Sequence, residues 1–181
     1  VQSLSMAMLF CMLMMVQPIY FEVYDRAESF PYWFGLVAVL SGGASLINVA
    51  LVVRYGMRRL VMVTLGVQIG LSGTIIGLDL GAMAEPYGFG AFLVWQTFLF
   101  AQAGLTLGNL NAIAMEPMGH IAGMAASVIG ALSTVGGALI ASPVGLLFDG
   151  TPLPLAVLIL TFCVTAFVLM QMMRRAEAAL A

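Results

Sequence analysis

The fourteen ionisable side chains of this 181-residue chain sit in short clusters, and that confinement constrains the fold more than any motif does. They fall at Glu22, Asp25, Arg26 and Glu28, then at Arg54, Arg58 and Arg59, then at Asp79 and Glu85. Glu116 and Asp149 stand alone, and Arg174, Arg175 and Glu177 close the series. Between the clusters lie six apolar stretches, 3–21, 31–53, 60–80, 89–111, 122–147 and 154–173. Each approaches the ~20 residues a helix needs to cross a ~30 Å hydrocarbon core. A charge at a helix centre costs about 2.5–3.5 kcal/mol on insertion scales, and only Asp79 enters a stretch, at its very end. Barrel strands would be ~10 residues long and would alternate polar with apolar; these runs do not. The pattern predicts an all-α integral membrane protein with six transmembrane helices.

Composition agrees. Charged residues make up 8% of the chain, against roughly 25% in a soluble domain, and the mean hydropathy is +1.10. Six Arg and a net charge of −2 supply no basic face, which excludes nucleic-acid binding. Five of the six Arg lie in 54–59 and after 173. The positive-inside bias then puts that loop and the C-terminus in the cytoplasm, and six spans put the N-terminus there too. The expected location is the plasma (inner) membrane, multi-pass, with the lipid bilayer as the first partner. Tyr20, Tyr24, Tyr32, Trp33, Tyr87 and Phe89 gather at the opposite side, as an interfacial belt would. No cleavable signal is apparent, since the first span lacks a basic flank and five more follow. The chain opens on Val1, almost inside the first span. That fits a segment of a longer chain; an alternative start codon is the other reading. Cys11 and Cys163 lie mid-span as small packing residues, and no disulfide is expected.

Glycine is frequent and spaced. Gly66, Gly70, Gly73, Gly77 and Gly81 mark the third span, Gly104 and Gly108 the fourth, and Gly119, Gly123, Gly137 and Gly145 the fifth region. Small residues every fourth position let helix backbones approach closely in lipid. Gly104, Gly108, Gly123, Gly137 and Gly145 are the helix-packing candidates. Polar residues form stripes at helical spacing: Gln17, Tyr20 and Tyr24; Ser41, Ser45 and Asn48; Gln102, Thr106 and Asn109; Ser127 and Thr134. Such groups face a bundle interior or a water-filled cavity, and interhelical hydrogen bonding is the plainer alternative. A third-span stripe, Thr64, Gln68 and Ser72, does not discriminate. The sixth span is almost purely apolar and is expected to face lipid. Pro18 predicts a kink in the first span, and Pro143 a break in the fifth.

Catalytic chemistry finds little support. Gly70-Leu71-Ser72-Gly73 matches the GxSG of six-span intramembrane serine proteases, and His120 is the one histidine. A Ser–His pair has to be within hydrogen-bond reach. Span geometry separates Ser72 from His120 by around 20 Å at ~1.5 Å rise per residue. There is no Cys/His ligand cluster, so neither a metal nor another cofactor is expected. No carboxylate sits mid-span, and Asp79 and Glu116 are expected to be capping or loop groups.

The run from Gly108 to Pro154, GNLNAIAMEPMGHIAGMAASVIGALSTVGGALIASPVGLLFDGTPLP, resembles the tenth-to-twelfth-helix region of major facilitator superfamily drug transporters of the bicyclomycin- and chloramphenicol-resistance type. Its carriers are the Asn residues ending one helix, Pro117, Ala122-Gly123 with a small run to Ser127, Gly130, and Asp149-Gly150-Thr151. Arg54-Tyr55-Gly56-Met57-Arg58-Arg59 resembles that family's basic loop in degenerate form, with Val53 where an acid would stand and Met57 in place of a basic residue. Gly137-x-x-x-Ala141-Ser142-Pro143-Val144-Gly145 echoes an antiporter motif.

The resemblance implies that residues 1–181 are the C-terminal six-helix half of a twelve-helix transporter, helices seven to twelve. It implies proton-coupled efflux of drugs or small amphipathic molecules by alternating access, with an N-terminal six-helix half, a small-molecule substrate and protons as partners. The expected cavity wall is Gln17, Tyr20, Ser45, Asn48, Gln102, Thr106, Asn109, Ser127 and Thr134. Arg54, Arg58 and Arg59 are expected to anchor the cytoplasmic end, or only to set the topology. On this reading the chain is not an enzyme. A six-span assembly subunit without transport activity, and an intramembrane serine protease using Ser72, are the readings from other classes.

Overall fold

The computed structural model describes residues 1–78 and 87–180; Asp79, Gly81 and Glu85 lie outside the described residues. Every regular element is helical. Among the described residues, five helices are long and apolar enough to cross a membrane. Helix α1 is Gln2–Pro18 continued by a π-turn, Ile19–Val23; α2 is Phe30–Tyr55; α3 is Met57–Gly77. Helix α4 is one helical run, Tyr87–Leu147, and α5 is Leu153–Leu180.

The fourth helix overturns the expected count. Residues 89–111 and 122–147 were to be separate spans joined by a loop, but the run has a first arm, Tyr87–Met115, a 3-10 turn, Glu116–Ile121, and a second arm, Ala122–Ala141, ending in a 3-10 turn, Val144–Leu147. Straight, its 61 residues would reach about 90 Å, roughly three hydrocarbon thicknesses. It bends instead. Pro117 offers no N–H to the ladder, and Met118 leaves helical geometry at φ −116°, ψ 31°. Both arms then lie against α1. With five candidate spans, the arrangement is not the six-helix half that was expected.

Two other breaks have local causes. After Pro18, which cannot donate to the preceding turn, α1 widens to π geometry, and the Tyr24 N–H reaches back to the Ile19 carbonyl at 3.3 Å. The second arm of α4 stops at Ala141, two residues before Pro143; Ser142 keeps helical angles, φ −48°, ψ −44°, but the proline offers no N–H to continue the ladder. Between α2 and α3 stands a single residue, Gly56, at φ 79°, ψ 153°. Only glycine occupies that region without strain.

Helix α1 runs through the centre, burying Met8, Cys11, Met12, Met15, Ile19 and Tyr20. It packs on both arms of α4 and on α5, while α3 packs on the first arm of α4 and on α5. Helix α2 lies outside, against the first arm, with only Val37 and Ala44 buried. The expectation that the last helix faces lipid holds for one side of it only. Leu155, Ala156, Ile159, Cys163, Ala166 and Met170 form a buried stripe on α5. Its lack of polar groups reflects a seam packed against α1 and α3, and α2 is the most exposed helix instead. Leu46 is 79% exposed and Leu132 67%, an apolar exterior that suits lipid tails and would aggregate in water.

The closest backbone approach is at Gly137. A Cβ there would stand 2.6 Å from the Met6 Cβ and 3.0 Å from the Ala7 nitrogen. Gly108 and Gly123 have open space at the same position. Gly137→Val should therefore cost about 1–3 kcal/mol by overpacking and lower the unfolding temperature in detergent, while Gly108→Val should not. Equal melting of the two variants would contradict the assigned crossing of α1 and α4.

Candidate functional site

The polar stripes do not converge on one chamber. Tyr20 is fully buried between α1 and the first arm of α4, where its hydroxyl donates to Gln96 Oε1 at 2.8 Å. Phe30, Phe89 and Phe92 pack edge-on around its ring. Gln102 and Thr106 are buried too: Gln102 Nε2 lies 3.9 Å from Met8 Sδ, and the Thr106 hydroxyl donates to the Gln102 carbonyl at 2.8 Å. Cys163 completes that knot, its thiol 3.2 Å from Met8 Sδ. Cys11 and Cys163 are both free and buried.

Asn48 and Asn109 meet across α2 and the first arm of α4, with Asn109 Nδ2 donating to Asn48 Oδ1 at 2.8 Å and to the Leu105 carbonyl at 2.7 Å. Ser45 is exposed and lines a groove of about 380 Å³ between the same helices, with Ser41, Phe100 and Gly104. Gly104 is there because a Cβ would lie 3.5 Å from Ser45 Oγ. Gln17, Ser127 and Thr134 are exposed. The Ser127 and Thr134 hydroxyls return to the carbonyls four residues back, Gly123 and Gly130, at 3.0 and 2.8 Å, which satisfies them without any ligand. At Gly145 a Cβ would be 4.0 Å from Met14 Cε, an ordinary contact.

A larger cavity lies elsewhere, at the end of the bundle where Val1, Arg58, Glu116 and Glu177 come together. It has a volume of about 810 Å³, with walls that include Leu110, Ile113, Ile129, Ser133 and Met170. Arg58 organises its mouth. Its guanidinium forks onto Glu116, Nη1 to Oε1 at 3.2 Å and Nη2 to Oε2 at 2.6 Å. It also donates to Glu177 Oε1, from Nη2 at 2.9 Å and Nε at 3.3 Å. One arginine thus ties the start of α3, the bend of α4 and the end of α5. Arg54 and Arg59 do something different: both stack on Tyr55, at 5.3 and 5.8 Å from the ring centre.

Of the expected site residues, Arg58 alone borders this cavity. Glu116, Glu177 and Ser133 were not singled out as lining residues. A signal for the two acids existed, because the span order already put 54–59, 116 and the C-terminal tail on one side of the membrane.

Ser72 has a structural partner. It is fully buried and accepts a hydrogen bond from Trp95 Nε1 at 3.0 Å, whereas His120 is exposed in the bend of α4. Among the described residues no group of three or more His, Cys, Asp or Glu is placed to hold a metal ion.

No family model, curated protein or solved structure matches this chain. The resemblance to major facilitator superfamily drug transporters is therefore overturned on two grounds: no relationship supports it, and the helical run through 116–121 departs from the six-span plan it implied. What stands is an all-helical bundle with the length and apolar exterior of a multi-pass membrane protein.

Two outcomes test this geometry. Tyr20→Phe removes one partner of a buried pair and leaves Gln96 Oε1 unsatisfied, so it should destabilise the bundle by about 1–3 kcal/mol; an unchanged melting temperature would contradict the pairing. The Arg58 guanidinium holds the Glu116 carboxyl below the ordinary carboxylate range. A depressed value means that the Glu116 arm of the clamp is present at neutral pH and is lost as pH falls through the lowered value. An infrared titration should give Glu116 a midpoint below that of free glutamate, returning to the free value in Arg58→Gln.

Proposed function

We propose that the chain acts in secondary transport of small amphipathic molecules across a membrane, with the cavity at the Arg58 end as its substrate-facing chamber. The observation that carries this reading is the cavity's build. About 810 Å³ lies within the ~300–1,000 Å³ usual for small-molecule sites. Its walls are largely aliphatic, with Gln2, Ser3 and Ser133 as neutral polar groups and Arg58, Glu116 and Glu177 at the mouth. An amphipathic molecule fits that division.

The mouth supplies a means of opening. Arg58 joins three helices through two carboxylates, so release of either carboxylate from the guanidinium frees one helix from the mouth. In this reading the transport is efflux driven by the proton gradient, and the clamp acts as a gate. The concentration of Arg54, Arg58, Arg59, Arg174 and Arg175 at this end supports a cytoplasmic face for it, and Val1 and Glu177, which border the same cavity, support both ends of the chain lying on that side of the inner membrane, with the bent α4 entering and returning. The transport reading is favoured over the serine-protease one because Ser72 is buried against Trp95 while His120 is exposed in the bend of α4.

The test is efflux from a drug-sensitive, efflux-deficient host expressing the chain within its full reading frame. Accumulation of amphipathic dyes should fall relative to empty vector and should depend on the proton gradient. Ser133→Trp, which projects an indole into the chamber, should abolish that difference while the protein remains in the membrane fraction. Dye levels equal to those of empty vector for every compound class would sink the transport reading, and full efflux by Ser133→Trp would sink the chamber. Ser72→Ala should leave efflux unchanged.

A further inference from the structure

We propose that the junction of α2 and α3 is a binding site for an anionic phospholipid, with the headgroup phosphate on Arg59 and Arg174 and an acyl chain in the groove above them. Three observations meet there. The first is a basin of about 540 Å³ lined by Tyr55, Gly56, Met57, Arg58, Arg59 and Arg174. The second is its charge. Arg58 is spent on Glu116 and Glu177, and among the described residues no carboxylate pairs with Arg59 or Arg174. Arg59 lays one face on the Tyr55 ring, 5.8 Å from its centre, and Arg174 Nη1 lies 4.0 Å from Met62 Sδ. Each contact steadies a guanidinium while leaving donor edges free, and a planar donor edge matches two phosphate oxygens.

The third observation distinguishes a lipid from a free anion. A groove of about 280 Å³ lined by Leu51, Tyr55, Arg59, Leu60 and Val63 adjoins the basin and shares Tyr55 and Arg59 with it. It follows the exposed sides of α2 and α3, where Val63 is 55% exposed. A phosphate held at the basin therefore has an apolar channel leading from it toward the hydrocarbon layer. A diacyl phosphate ester has that shape and charge; a soluble anion uses only half of it. Basic pockets between helices at the cytoplasmic membrane face recognise anionic headgroups in this way.

This site adjoins the mouth of the transport chamber, with Arg58 on the border of both, but it uses Arg59, Arg174 and Val63, which lie outside the chamber, and does not depend on the transport reading. The test is native mass spectrometry of the intact chain from micelles doped with equal phosphatidylglycerol and phosphatidylcholine. Phosphatidylglycerol should be retained in preference. Arg59→Gln combined with Arg174→Gln should weaken its retention about twenty-fivefold, on the order of fivefold per arginine. Arg175→Gln, which removes a nearby charge outside the basin, should change it little. Val63→Trp fills the groove, keeps every charge and should also lower retention, so the groove is tested independently of the arginines. Millimolar inorganic phosphate should not displace the lipid.

Equal retention of the two lipids by the unaltered chain would overturn the proposal. So would an undiminished preference in the double variant, or a loss in Arg175→Gln as large as that in the double variant, which would mean diffuse charge. Displacement by phosphate together with an inert Val63→Trp would make the basin a free-anion site and equally refute a lipid one.

Discussion

In a hydrocarbon layer every backbone N–H and C=O has to find its partner within the chain, because no water is there to take its place. That constraint accounts for the helical content, the confinement of charge to helix ends and the apolar exterior. It also turns proline into the main source of irregularity. Pro18, Pro117 and Pro143 each remove a donor, and the chain answers with a π-turn, a 3-10 bend and a helix end followed by a 3-10 turn.

Lipid tails are as apolar as leucine, so burial of apolar surface does not by itself hold such helices together. The bundle relies on close fit and on a few polar joints. Gly137 admits α1 at a distance no Cβ would allow. Tyr20–Gln96, Ser72–Trp95 and Asn48–Asn109 each join two helices inside the bundle. At one end a single guanidinium ties α3, α4 and α5, and it does so beside the cavity of about 810 Å³. The interior joints are neutral and the charged one lies at an end, which is how a membrane bundle distributes polarity when charge is costly at depth.

The apolar stretches were legible because charge exclusion acts on each residue separately. Residues 31–53 became Phe30–Tyr55, and 154–173 became the apolar part of Leu153–Leu180. The bend of α4 was not legible. Glu116 and Pro117 signal an interruption, but six residues of 3-10 helix carry the run across it with no loop. Helical spacing found the polar stripes and not their surroundings. Gln102 and Ser127 look alike in sequence, yet one lies in the core and the other on the surface, because only neighbouring helices decide what a stripe faces. The apolar character of the last helix was misleading for the same reason, since a core seam and a lipid face have the same composition. Gly108 to Pro154 resembled a transporter family through small residues and prolines, and those are common to many close-packed membrane helices.

The account depends most on the clamp that gathers three helix ends around the cavity. Spin labels at Gly119 and Ala178, in a background with Cys11 and Cys163 replaced by alanine, report the separation of the α4 bend from the end of α5. Pulsed electron resonance should give one narrow, short-distance population when Arg58 is present, and a broad, longer one in Arg58→Gln. A distribution that is unchanged by the loss of Arg58 would contradict the account.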